Sequence, residues 1–169
     1  MAAVAPPSKT LPFRLRYVIL PLAMLLISAL IIGFFFRLLP ADVAYHFKDG
    51  NPDGWLGRGV IIIGVLVAQV VLTLLAVAVV WVTIRVSARF GAIPTPLVDK
   101  LLAIMGNMVA LPQIVLAFAM LDIFSYNAYH IRLMSPLVFA LIVAILGLIG
   151  LGVVFSAAMR QLGASRGKS

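Results

Sequence analysis

Between Arg58 and Arg85 the chain reads GVIIIGVLVAQVVLTLLAVAVVWVTI, residues 59–84, without a single charged side chain. An α-helix crosses the hydrocarbon core of a bilayer with about 20 apolar residues, and this run is longer than that. Lipid offers no water to backbone amides, so a chain inside it must pair its own N–H and C=O groups as a helix. Three other stretches qualify. One lies between Arg16 and Arg37, one begins after Lys100 and reaches Asp122, and one runs from Arg132 to Arg160; none has Lys or Arg in its interior. The expected spans cover about 17–38, 59–84, 101–123 and 134–159, with an outer loop at 39–58, an N-terminal lead at 1–16 and a basic tail at 160–169. The expected fold class is an all-α integral membrane protein: four transmembrane helices with an ordered outer loop between the first two.

Composition points the same way. Of 169 residues, 64% are hydrophobic and 11% charged, and the mean hydropathy is +1.19. Soluble domains average roughly 45–50% apolar and about 25% charged, so a water-soluble globule is excluded, as is intrinsic disorder. The net charge of +8 would suggest nucleic acid in a soluble chain. Here the cations sit at the ends of apolar runs, where they set topology instead. There are no cysteines, which removes disulfides, thiolate metal sites and iron–sulfur clusters.

The first run is longer than the roughly 7–15 residues of a signal h-region and lacks a small-residue cleavage site, so it reads as a retained helix. Nine Lys and Arg fall in the lead, the middle connection and the tail, against four in the first and third loops. That asymmetry places both termini in the cytoplasm and loops one and three outside. Trp55, Tyr126 and Tyr129 lie at span ends on the outer side, with Trp81 near the opposite interface. Gly64 and Ala68 in the second span, and Ala140, Ala144, Gly147, Gly150 and Gly152 in the fourth, read as close-packing surfaces. Pro112 removes a backbone donor and should bend the third span; Pro21, near the start of the first, costs less.

Loop one runs LPADVAYHFKDGNPDGW, residues 39–55. Asn51-Pro52-Asp53-Gly54 has the chemistry of a tight turn, and Asp49-Gly50 is a second turn signal before it. Two turns in succession predict a compact cap, anchored at the interface by Phe47 and Trp55. Leu39, Pro40, Val43, His46, Phe47, Gly50, Pro52, Asp53, Gly54 and Trp55 together resemble a bacterial and archaeal family of small membrane proteins of unassigned activity. The domain of that family also forms the N-terminal part of Sdp-type immunity proteins, which protect a cell against its own secreted killing factor. The resemblance covers helix one, its loop and the start of helix two. It implies a helical membrane domain with an outer interaction motif at Pro40, His46, Phe47, Gly50, Pro52, Asp53, Gly54 and Trp55.

Among polar residues, His46 has two readings. It is either a pH-responsive or cation-binding group, assisted by Asp42, Asp49 or Asp53, or a structural residue that holds the cap. A metal site needs three or four convergent ligands, and only His46 and His130 offer imidazoles, so no metal is expected. Ala44-Tyr45-His46-Phe47-Lys48 is echoed by Ala128-Tyr129-His130-Ile131-Arg132, which reads either as a duplicated hairpin or as chance. Asp122, at the end of the third run, can reach water or pair with Arg132; Asn107 and Gln113 lie deeper. With His130 these are the candidate polar or ion contacts. The chain has no Glu, no G-x-S-x-G elbow and no phosphate-binding loop, so neither catalytic residues nor a cofactor are expected. The resulting expectation is a non-enzymatic module of the cell membrane: immunity-like, sensory or an accessory subunit. Its partners would be the lipid bilayer and either another membrane protein or further copies of itself, with no nucleic acid. The alternative is a small oligomeric channel or transporter using Asn107, Gln113 and Asp122.

Overall fold

The computed structural model describes residues 12–48, 50–89 and 96–166. The lead before residue 12 (with Lys9), Asp49, the segment 90–95 and the end of the tail (with Lys168) lie outside the described residues. A short 3-10 turn, Leu15–Tyr17, leads into α1 (Ile19–Phe35). Strands β1 (Asp42–Lys48) and β2 (Asn51–Gly57) follow, then α2 (Arg58–Arg89), α3 (Pro96–Met108), α4 (Ala110–Tyr129) and α5 (Pro136–Arg166). Among the described residues, three helical segments are long and apolar enough to cross a membrane: Arg58–Ser87, Val98–Tyr129 and Pro136–Val154. The fourth apolar helix, α1, has 17 residues and stops short of the expected residue 38.

The third segment is two helices end to end. Pro112 cannot donate to the carbonyl of Met108, four residues back. The helix breaks there, with Val109 between α3 and α4. The chain runs up and down. At one end Tyr17 and Arg16 meet Asp99, at the start of α3. At the other, β1 packs on the end of α4. Gly106 permits the first of these contacts: a Cβ there would collide with the Tyr17 carbonyl and lie 2.6 Å from Val80 Cγ2.

The interior is layered. Ile32, Phe35, Leu39, Val43, Ile62, Met120 and Phe124 form an apolar cluster beneath the strands. Tyr17, Val18, Ala76, Val80 and Leu102 form another at the opposite end. Between them lies a polar layer of Ser28, Gln69, Thr73 and Gln113, all buried. Helix α5 packs chiefly against α4, where Phe118 and Phe139 stack at 3.8 Å. Of the small residues expected to pack, Gly147 does so, since a Cβ there would lie 2.8 Å from Leu111 Cδ1. At Gly64, Gly150 and Gly152 a Cβ would meet nothing within 4 Å, so these three do not mark close packing.

Candidate functional site

The segment expected to be a loop of two tight turns is an antiparallel hairpin. Lys48 pairs with Asn51, so the reversal takes place in the two residues between them. Gly50 has φ 83°, the left-handed geometry such a short connection needs. Asn51-Pro52-Asp53-Gly54 is therefore not a turn; it belongs to β2. A two-stranded sheet is all edge, which tolerates Pro52. The register slips once on each strand, leaving Tyr45 and Asp53 unpaired. Such bulges re-aim side chains. Here they bring His46 Nδ1 to 2.5 Å from Asp53 Oδ1. Gly54 makes room, since a Cβ would lie 3.1 Å from His46 Cβ and 3.2 Å from the Tyr45 ring.

The hairpin is fixed from below. Asn127, on the last turn of α4, accepts the N–H of Ala44 and donates to its C=O, both at 2.9 Å. That reciprocal pair is the one a third strand would make, so the carboxamide substitutes for a peptide unit. Its Nδ2 also donates to the Ile123 carbonyl at 2.8 Å. Arg132 lies 3.9 Å over the Phe47 ring, which meets Tyr126 edge-on at 4.7 Å. Arg132 Nε is 3.4 Å from Asp122 Oδ2, and Asp122 Oδ1 accepts the Leu133 N–H at 2.8 Å. Asp122 is 1% exposed, so this carboxylate serves the α4–α5 connection and the hairpin together. Arg58 closes the remaining side by donating to the Phe36 and Leu39 carbonyls, the open C-terminal end of α1.

Side chains of the hairpin are left open among the described residues. Tyr45, His46, Asp53 and Trp55 are exposed, Trp55 by 55%. Pro40 is exposed too, at the entry to β1, whereas Phe47 is half-buried against α4. His130 is elsewhere: it caps α4 with φ 56° and packs edge-on against Tyr126 at 5.7 Å. The two echoed segments therefore differ in conformation, one a strand and the other a helix end. Among the described residues no three His, Cys, Asp or Glu gather as a metal site would require.

Asn107, Gln113 and Asp122 occupy three separate levels, each engaged within the chain. Asn107 caps α1 by accepting the Leu20 N–H at 2.9 Å and donating to the Arg16 carbonyl at 2.9 Å. Gln113 and Gln69 are reciprocal. The Nε2 of each donates to the backbone carbonyl of the other at 3.2 Å. Gln69 also reaches Ser28 Oγ at 2.8 Å, and Gln113 reaches Thr73 Oγ1 at 3.0 Å. This network joins α1, α2 and α4.

Sequence reasoning passed over Asn127, Gln69, Arg58 and the contact of Arg16 and Tyr17 with Asp99. The visible signal was strongest for Gln69, an amide in the middle of an apolar run. Hydrogen bonding to Asp99 raises the Arg16 guanidinium above its ordinary pKa. No family model, curated protein or solved structure matches the chain.

Proposed function

We propose that all four helical segments lie in the bilayer, with the hairpin outside the cell, both termini in the cytoplasm, and the protein acting as a non-enzymatic interaction module. At about 1.5 Å per residue α1 is roughly 26 Å long, close to the hydrocarbon thickness, and the 3-10 turn and residues 36–39 extend it. The module is immunity-like, sensory or an accessory subunit, in keeping with the resemblance of its hairpin sequence to the family that includes Sdp-type immunity proteins. Its contact surface is the hairpin face of Tyr45, His46, Asp53 and Trp55. One observation supports this above the others: the hairpin is anchored to α4 and the α4–α5 connection through Asn127 and Arg132, while Tyr45, Trp55 and the His46–Asp53 pair are exposed. A rigid surface of mixed apolar and charged groups is pre-organised for a protein partner.

The test is a photocrosslinking residue at Trp55, used in cells before mild solubilisation. One crosslinked partner is expected, in stoichiometric yield, and lost when His46 and Asp53 are both changed to Ala. Crosslinks to lipid alone refute the reading. A homo-oligomer that passes ions in liposomes, and stops doing so with Asp122→Asn, favours transport instead. Cysteines introduced at Asn51 and Ser165 should label from opposite sides of the membrane.

A further inference from the structure

A cleft of about 300 Å³ lies where α5 leans on the α3–α4 junction and the start of α1. Its wall is almost wholly hydrocarbon, with Leu20, Ile104, Leu111, Ile114 and Leu151 lining it and Asn107 the one polar side chain among them. Leu20 and Leu151 are 52% and 42% exposed, so the cleft opens on the outside of the bundle. Three features keep the chain from filling it. The helix breaks at Val109, α5 touches chiefly α4, and Gly150 contributes no side chain where a Cβ would meet nothing within 4 Å.

One lining residue leads to cations. Asn107 donates to the Arg16 carbonyl at 2.9 Å and accepts the N–H of Leu20, itself part of the wall. Arg16 is hydrogen-bonded to Asp99, whose other carboxylate oxygen takes the Tyr17 hydroxyl. Arg14 stands 3.9 Å from the same carboxylate, with its side chain half exposed, and Lys100 is exposed next in sequence. Two arginines share one carboxylate and Lys100 adds a third cation beside it in sequence, leaving an excess of positive charge near the residues that line the cleft.

We propose that this cleft holds one acyl chain of an anionic phospholipid, whose phosphate rests on Arg14, Arg16 and Lys100. The proposal depends on the membrane reading above. A methylene is about the size of a water molecule, about 30 Å³ in the liquid, so the cleft takes roughly ten of them, a large part of a common acyl chain. A neutral headgroup would gain the same apolar contact and leave the excess charge unanswered. A soluble phosphate would answer the charge and leave the cleft empty.

The full chain is reconstituted in vesicles of equal phosphatidylglycerol and phosphatidylcholine, extracted in mild detergent and weighed by native mass spectrometry. One phosphatidylglycerol per chain is expected to stay bound, in clear excess over phosphatidylcholine. Gly150→Phe fills the cleft and should abolish that adduct. Arg14→Gln, remote from the packed interior, should weaken retention about fivefold, the effect of one cation near an anionic surface. Equal retention of both lipids, displacement by inorganic phosphate alone, or an adduct indifferent to both substitutions overturns the proposal. A chain recovered outside the vesicles refutes the membrane reading itself, and so is told apart from a membrane-embedded chain with no lipid preference.

Discussion

Replacing Asn127 by Leu should release the hairpin from the helical bundle. The side chain makes two bonds to Ala44 and one to Ile123. Ile123 keeps its intrahelical partner, so the cost falls on Ala44, which is buried. Its N–H and C=O would both lose their partner, at about 1–3 kcal/mol for each buried group left unsatisfied. Water reaches the hairpin end more easily than the bundle centre, so the lower half of that range applies, about 2–4 kcal/mol in total. The Arg132–Phe47 contact remains, so the hairpin should open locally and not detach. Each 1.4 kcal/mol is tenfold in an opening equilibrium, so hydrogen exchange at the Ala44 amide should quicken by about 30- to 1,000-fold. Asn127→Asp is the sharper control. It keeps the acceptor for the Ala44 N–H but sets a carboxylate oxygen against two carbonyls, so it should open the hairpin at least as much as Leu does. The measurement is exchange by mass spectrometry in detergent, reading the 42–57 peptides against those of α2. Unchanged protection of Ala44 in both variants would show that the strands hold their place without the Asn127 bonds.

Gly106→Ala should lower the thermal midpoint in detergent through overpacking of about 1–3 kcal/mol, since its Cβ collides with the Tyr17 carbonyl; an unchanged midpoint would place the 3-10 turn elsewhere. Asp122→Ala strands Arg132 and the Leu133 N–H, and removing one partner of a buried pair costs about 3–5 kcal/mol; because Arg132 can turn to water, about half of that is expected, read as weakened protection of residues 130–136 with α2 unaffected. Gln69→Leu and Gln113→Leu should each destabilise by about 1–2 kcal/mol, and the double variant by clearly less than the sum, because each amide serves the other's backbone; additivity within about 0.3 kcal/mol would refute the reciprocal arrangement. His46→Ala, exposed on the hairpin, should change stability by less than about 0.5 kcal/mol in the same assay.

The helices were readable because lipid forces composition on whatever crosses it. A run like 59–84 has no soluble alternative, and the break near Pro112 follows from a missing N–H. The hairpin was not readable, for local reasons. Strands are recognised by alternation, and the bulges at Tyr45 and Asp53 interrupt it on both strands. Asn51-Pro52-Asp53-Gly54 has turn composition yet lies extended, because Gly50 has already reversed the chain and Gly54 is needed to clear the Tyr45 ring. The pairing of Asp122 with Arg132 was within reach, since only ten residues separate them. Asn127 was not, because a polar residue at a helix end has an ordinary interfacial explanation. Its grip on Ala44 depends on two elements 83 positions apart in the chain.

Helix α5 is the outlier of the bundle, only 6% of its apolar window being covered by the rest of the protein. The polar layer and both apolar clusters are complete without it. The two clusters and the polar layer therefore hold α1, α2, α3 and α4 together through contacts that α5 does not share. α5 joins them from the side, along the Phe118–Phe139 stack. Substitutions in α5 therefore meet fewer neighbours inside the protein than substitutions in α2, whose Gln69, Thr73, Ala76 and Val80 are buried against other helices.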